Sequence, residues 1–442
     1  MTAVVLALSL LLSGCSFAGL DAETLMRPPK PTGEKAGIHA LLESKAGEKI
    51  TLKYPSSGDY RSAIITHDIC GDKKDEAMAI YQKGDESTGT NLMFMMKQDG
   101  QWTGVGFFNN PAAQVDKVCF GDLNGDGKDD VVVGWGSSLN STSTICVYYY
   151  KNGKMNELKL NQPYTEMTVM DFDGDGCDEI FTANVSSGDD PALARLYSVR
   201  KNTAEIIGSC RMDSGVSKYA SMQSGLINEK QNGVVLDGFK NATTLVTELL
   251  YWDKTSKTLC SPFYDGKTKS ANTAQRSTSV VSKDINGDKI IEVPLVSLMP
   301  GYTGSSADDA AYMTNWNRYD TKTNTFVRVM SMVVNYSDGY WFLIPDVWQG
   351  KITTKTDTAT RTITFYEWSP AKKNPVGVTG APLLKIQVFS QAEWEKGMGT
   401  SGFFKLLDNN NLVFAASCPS PGRPLSLSTE DVKASFQLIN SD

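Results

Sequence analysis

Asp122-Leu123-Asn124-Gly125-Asp126-Gly127-Lys128-Asp129-Asp130 returns as Asp171-Phe172-Asp173-Gly174-Asp175-Gly176-Cys177-Asp178-Glu179, and again as Asp284-Ile285-Asn286-Gly287-Asp288-Lys289-Ile290-Ile291-Glu292. A weaker copy, Asp68-Ile69-Cys70-Gly71-Asp72-Lys73-Lys74-Asp75-Glu76, precedes them. Side-chain oxygens at positions 1, 3, 5 and 9, with the backbone carbonyl of position 7, suit a hard cation such as Ca2+. Glycine at position 4, and at position 6 in two copies, permits a tight curl with positive φ. The expected ligands are therefore Asp122, Asn124, Asp126, Lys128 (main chain) and Asp130 in one loop. They are Asp171, Asp173, Asp175, Cys177 (main chain) and Glu179 in the next, and Asp284, Asn286, Asp288, Ile290 (main chain) and Glu292 in the last. The loop at 171 supplies four carboxylates and is expected to bind most tightly. The loop at 284 has Lys289 where glycine belongs. The loop at 68 has Cys70 in place of an oxygen ligand, and no metal is expected there. The same residues also suit Asx-turn hairpins that hold no ion.

What flanks the loops separates two readings. An EF-hand opens with the same acids but needs a bidentate acid at position 12 and a helix after it. Position 12 is Val133, Thr182 or Leu295, and apolar runs follow: Val131–Val133, Ile180–Thr182 and Val293–Val296. Apolar runs also precede the loops, at Val118–Phe120, Met167–Met170 and Ser279–Val281. Each loop should therefore close a β-hairpin. A third, aromatic-containing strand is expected in each unit, at Ile145–Tyr150, Leu193–Tyr197, Leu245–Trp252 and Tyr312–Trp316, with a fourth after a turn.

The loops begin at 68, 122, 171 and 284, spaced about fifty residues apart except for a final gap of about twice that. A copy that keeps its turn and has lost the acids of the pattern falls at Gly225–Gly233. Four short strands per unit predict blades, which bury both faces only by stacking on neighbours. The expected fold is an all-β propeller, with five countable blades and room for up to seven, followed by a small α+β domain.

The pattern resembles the FG-GAP/VCBS repeats of integrin-α-type propellers and bacterial surface proteins, over residues 46–335. The resemblance implies structural calcium that clamps each inter-strand turn.

Composition is that of a globular chain: 442 residues, 40% hydrophobic and 21% charged, with a net charge of −7. No basic run marks a nucleic-acid partner. Only two histidines occur, His39 and His67, which argues against histidine-based acid–base or zinc chemistry. Eight cysteines occur without a C-x-x-C pair, and most are read as buried free thiols.

Residues Met1 to Ser13 form an apolar run too short to span a bilayer, as in a signal peptide. Leu12-Ser13-Gly14-Cys15 resembles the lipobox of bacterial lipoproteins. That resemblance implies cleavage before Cys15, a lipid on its thiol and an extracytoplasmic, membrane-anchored body. Residues 1–15 are thus expected to be the leader. Residues 16–45 should be a Pro-rich tether with a short helix at Ile38–Lys45.

Residues 336–442 carry no acidic loop. Strands are expected at Thr360–Trp368 and Leu383–Phe389, and a hairpin at Phe403–Leu407 and Leu412–Ala416. Short helices are expected at Gln391–Lys396 and after the Ser428 cap. Trp341, Trp348, Tyr366, Trp368 and Trp394 suit core packing more readily than a ligand face.

No nucleophile elbow, zinc motif, P-loop or dinucleotide fingerprint is present. The paired acids belong to the loops. The expected function is therefore binding of a protein or glycan at the cell surface, through loops such as Gly134–Ser138 and Pro300–Gly304. A polysaccharide-processing enzyme on the same scaffold and a structural envelope component are the alternatives.

Overall fold

The computed structural model describes residues 33–47, 49–84, 89–136, 143–200, 203–276, 280–306 and 310–439. Cys15 and the tether lie outside them, as do Ser137 and Ser138. The chain is nearly all-β with antiparallel sheets, and the second, third and fourth sheets are simple meanders that follow one another in sequence.

The first sheet holds β1 (Ile50–Leu52), β2 (Ile64–His67), β3 (Glu76–Lys83), β4 (Thr90–Gln98) and β5 (Gln101–Asn110). The second holds β6 (Gln114–Gly121), β7 (Asp130–Gly136), β8 (Ser143–Lys151) and β9 (Lys154–Tyr164). The third holds β10 (Glu166–Met170), β11 (Glu179–Asn184), β12 (Leu193–Arg200) and β13 (Thr203–Arg211). The fourth holds β14 (Lys218–Asn228), β15 (Gln231–Phe239), β16 (Leu245–Asp253) and β17 (Thr258–Cys260), with a separate small hairpin, β18 (Tyr264–Asp265) and β19 (Ser270–Ala271), after it. The first three acidic loops each join the first two strands of a meander, β2 to β3, β6 to β7 and β10 to β11. The copy without the recurring aspartates is the tight turn from β14 to β15.

Period-2 alternation explains the stacking. In β7, Val131 and Val133 face the first sheet with Met78, Ile80 and Phe94, while Val132 faces the third with Ile180. In β15, Val234 and Leu236 face the third sheet with Phe181, while Val235 turns to the fifth with Ile291 and Val293. Each central strand is thus apolar on both faces, because each sheet is sandwiched. The outer face of the first sheet is covered by α1 (Glu34–Ala46). Its residues Ile38 and Leu42, one turn apart, pack on Ala77, Tyr81, Met93 and Met95.

The fifth sheet departs from the expected pattern. It runs β20 (Val293–Leu298), β21 (Tyr312–Asp320), β22 (Thr325–Asn335), β23 (Tyr340–Leu343) and, at its far edge, β29 (Phe436–Leu438). The strand expected at Ser279–Val281 does not form among the described residues, and only the bridge from Lys283 to Glu292 remains. Side chains have taken its backbone groups. The carboxylate of Asp237 accepts the Ser282 amide at 2.5 Å, and Arg276 donates to the Val280 carbonyl at 2.7 Å.

The boundary expected at 335/336 also shifts. Tyr340–Leu343 pairs with β22 and belongs to the fifth sheet, which the chain re-enters as β29. The remaining C-terminal segment forms β24 (Ile352–Asp357), β25 (Thr362–Ala371), β26 (Asn374–Ser390), β27 (Phe404–Asn409) and β28 (Leu412–Ser417). The short helices α2 (Gln391–Glu395) and α3 (Thr429–Ser435) open with capping boxes at Ser390 and Ser428. This sheet shares a core with Val333, Tyr340 and Phe342 of the fifth. Trp348 lies fully buried in that core, and its indole N–H donates to the Leu425 carbonyl.

Candidate metal-binding loops and the inner-strand pocket

The loops share one scaffold. Asp122 accepts the amides of Gly125, Asp126 and Gly127, and Asp284 accepts those of Gly287, Asp288 and Lys289. Asp68 does the same for Gly71, Asp72 and Lys73, and Asp171 accepts those of Gly174 and Gly176. Position 6 has positive φ whether it is Gly127, Gly176, Lys73 or Lys289. Glycine there is thus not required for the curl. The amide bonds to position 1 hold lysine in the left-handed region, at a cost of roughly 1 kcal/mol.

Position 9 closes each loop from below. Glu179 is 1% exposed; one oxygen accepts the Phe172 amide at 3.1 Å, and the other, Oε1, has no protein partner. Carboxylate oxygens of Asp171, Asp173 and Glu179 lie within 4.8 Å of one another. Burial, reinforced by the neighbouring acids, pushes Glu179 up to about 8. Burial likewise raises Asp130 to about 7, against a hydrogen bond from Asn124. An unpartnered buried carboxylate among converging acids fits a divalent cation, and Asp171, Asp173, Asp175, Glu179 and the Cys177 carbonyl are the groups that would hold it. The corresponding residues next door are Asp122, Asn124, Asp126, Asp130 and the Lys128 carbonyl, with the Asn124 amide donating to Asp130 at 3.0 Å.

The other two loops differ. At 68, both the Ile69 and Cys70 amides donate to Glu76. Burial, together with Glu76, pushes the Cys70 thiol up to about 11, leaving a neutral thiol where a hard ion wants oxygen. At 284 the acids already have a cation. Arg318 donates to Glu292 at 3.3 Å, to Asp288, and to Glu229 at 3.1 Å.

Position 8 has a role that sequence reasoning missed: it reaches back to the preceding unit. Asp129 contacts His67 at 2.6 Å, Asp178 accepts the Asp122 amide at 2.9 Å, and the Ile291 amide donates to the Leu226 carbonyl. Arg200 adds a second link between the loops at 122 and 171, donating to the Leu123 carbonyl and to Asp175. The loops at 68, 122 and 171 therefore lie side by side. A Cβ on Gly71 would meet the Gly127 carbonyl at 2.8 Å, and one on Gly125 would meet Cys177 Sγ at 2.8 Å. The Asp-Asp and Asp-Glu doublets were the available signal.

Where the first strands of the second, third and fourth sheets converge, a cavity of about 560 Å³ opens. Lys117, Cys119 and Phe120 of β6, Glu166 and Thr168 of β10, and Gln223 and Ser224 of β14 line it, with Asp59 and Tyr60 on its rim. Lys117 donates to the Met167 carbonyl at 3.1 Å and pairs with Glu166 at 3.4 Å. Asp116 fixes the rim by accepting from Ser56, Ser57 and Tyr164. Of the two loops expected to bind ligand, Ser137 and Ser138 lie outside the described residues, and Thr303 and Gly304 are exposed. Gly134 and Trp135 lie inside β7, Trp135 is buried, and Gly134 leaves room for the Tyr164 hydroxyl. Tyr302 docks on the C-terminal sheet through the Thr354 carbonyl.

The segment spanning the two adjacent acidic loops also matches a known family model. Residues 122–182 match an FG-GAP-like repeat. The FG-GAP-like segment runs from Asp122, the first residue of one acidic loop, through β7, β8 and β9 and the next acidic loop into β11. No curated protein matches the chain. Among solved structures, the exotype rhamnogalacturonan lyase YesX overlaps at 10% identity and a TM-score of 0.30, covering 74% of this chain and 73% of that one. Rhamnogalacturonan lyase YesW overlaps at 9% identity and 0.30, covering 75% and 77%. A protein from Lactobacillus plantarum overlaps at 9% and 0.27, covering 71% and 82%. Overlaps this loose say nothing of activity or substrate.

Proposed function

We propose that this chain is a calcium-bound β-propeller lipoprotein, held on the outer side of a cell membrane through Cys15, that binds a carbohydrate rather than transforming it. The repeat sheets would be its blades, and calcium in the loops at 122 and 171 would clamp neighbouring blades together. The lining of the inner-strand cavity carries the reading. It offers an ion pair, an amide and hydroxyls from three sheets, with Tyr60 and Phe120 beside them, the mixture that hydroxyl-rich ligands use. Asp116 and the Lys117–Glu166 pair are held by neighbours in fixed geometry, so the cavity is pre-organised.

The test is a glycan array with the purified chain, followed by titration of hits against Gln223→Ala and Thr168→Ala. Saturable binding weakened several-fold by these variants supports the reading. Binding of proteins alone, or no binding at all, would leave a protein-binding or structural role. Release of soluble products from a polysaccharide panel would make the chain an enzyme.

A further inference from the structure

The fourth acidic loop has the sequence of a metal site and the contacts of something else. Positions 5 and 9, Asp288 and Glu292, are the side chains that would complete a cation's shell. Both are bound by the guanidinium of Arg318, which comes from β21 of the same sheet. The third arm of Arg318 reaches Glu229 in the β14–β15 turn of the fourth sheet. The loop at 171 contrasts with this. Arg200 donates to Asp175 at the exposed edge of that loop, away from Glu179, whose Oε1 has no partner.

We propose that Arg318 is the built-in cation of the loop at Asp284, so that this loop closes and ties the fourth sheet to the fifth without metal. A divalent ion seated among Asp284, Asp288 and Glu292 would face a fixed positive charge at contact distance from two of its own ligands, with Lys289 beside it. Like charges so placed repel, and the guanidinium already occupies the carboxylate oxygens that the ion would need. The guanidinium also does what an ion cannot: its flat array of donors spans three carboxylates on two sheets. The residues at 284 therefore do not fit calcium, although their spacing does. The repeat keeps one clamp geometry and fills it in two ways.

This inference rests on the reading that the loops at 122 and 171 hold calcium. The test therefore separates the two. Bound calcium is counted by equilibrium dialysis on the full chain, its Asp171→Asn variant and its Asp284→Asn variant, with Glu292→Gln as a gentler change in the same loop. The expected result is one ion fewer for Asp171→Asn and an unchanged count for the two changes at 284. Loss of an ion from either of those would overturn the proposal. If the natural chain binds no calcium, the reading of the loops at 122 and 171 fails. Arg318 is then judged in EDTA. A melting temperature lowered by several degrees in Arg318→Gln upholds the clamp, and an unchanged one overturns it.

Discussion

Asp178 accepts the backbone amide of Asp122 at 2.9 Å, while its own amide donates to the Asp122 carbonyl at 2.8 Å. Two acidic residues from successive repeats are thus paired through the backbone. The eighth residue of one loop holds the first residue of the loop before it. Since Asp122 in turn gathers three amides of its own loop, the shape of one loop depends on the next.

Replacing Asp178 with alanine should therefore destabilise the fold by about 1–3 kcal/mol, because the Asp122 amide loses its acceptor in a partly buried place. Asp178→Asn keeps an acceptor oxygen and should cost less. Equilibrium unfolding in urea measures both. Equal losses in the two variants would show that the hydrogen bond is not what matters.

Calcium should raise the melting temperature and EDTA should lower it, because an ion that binds only the folded chain stabilises it by about 2.7 kcal/mol at a hundredfold excess over its dissociation constant. Glu179→Gln should shrink that response while leaving a calcium-free protein at least as stable as the parent, since it removes a buried carboxylate with an unpartnered oxygen. Differential scanning calorimetry with and without calcium reads both effects.

Arg276 and Asp237 form an ion pair with essentially no exposure, and their remaining polar atoms are taken by Thr247, Ala274, Val280 and Ser282. Arg276→Met should cost about 3–5 kcal/mol, because it strands a buried carboxylate. Adding Asp237→Leu should recover much of that loss. A double-mutant cycle by chemical denaturation gives the coupling.

Burial pushes Glu248 up to about 8, against a hydrogen bond from the Asp213 amide, and its second oxygen has no partner. The folded state therefore holds a proton that the unfolded chain releases near pH 4.5. The stability this group contributes is full below that pH and is lost as pH rises toward 8. The melting temperature should accordingly fall across that window, and Glu248→Gln should flatten the decline.

The recurring Asp-x-Asp/Asn-Gly-Asp pattern, flanked by apolar runs, was enough to place the hairpins at 122 and 171 and the turn at 228–232 that lacks the recurring aspartates. Local chemistry decides these features: a side-chain carboxylate gathers amides within its own nonapeptide, and alternating apolar residues need a sheet on each side. The capping boxes at Ser390 and Ser428 were legible for the same reason.

Tertiary structure decided what depends on residues far apart in the chain. Arg318 enters a loop 26 residues before it, Arg276 and Asp237 dissolve an expected strand, and β29 returns to a sheet the chain left at Leu343. Lys117, Glu166 and Ser224 meet in one cavity only because three first strands converge. A nine-residue motif specifies its own curl, but long-range packing determines which charge sits at its centre.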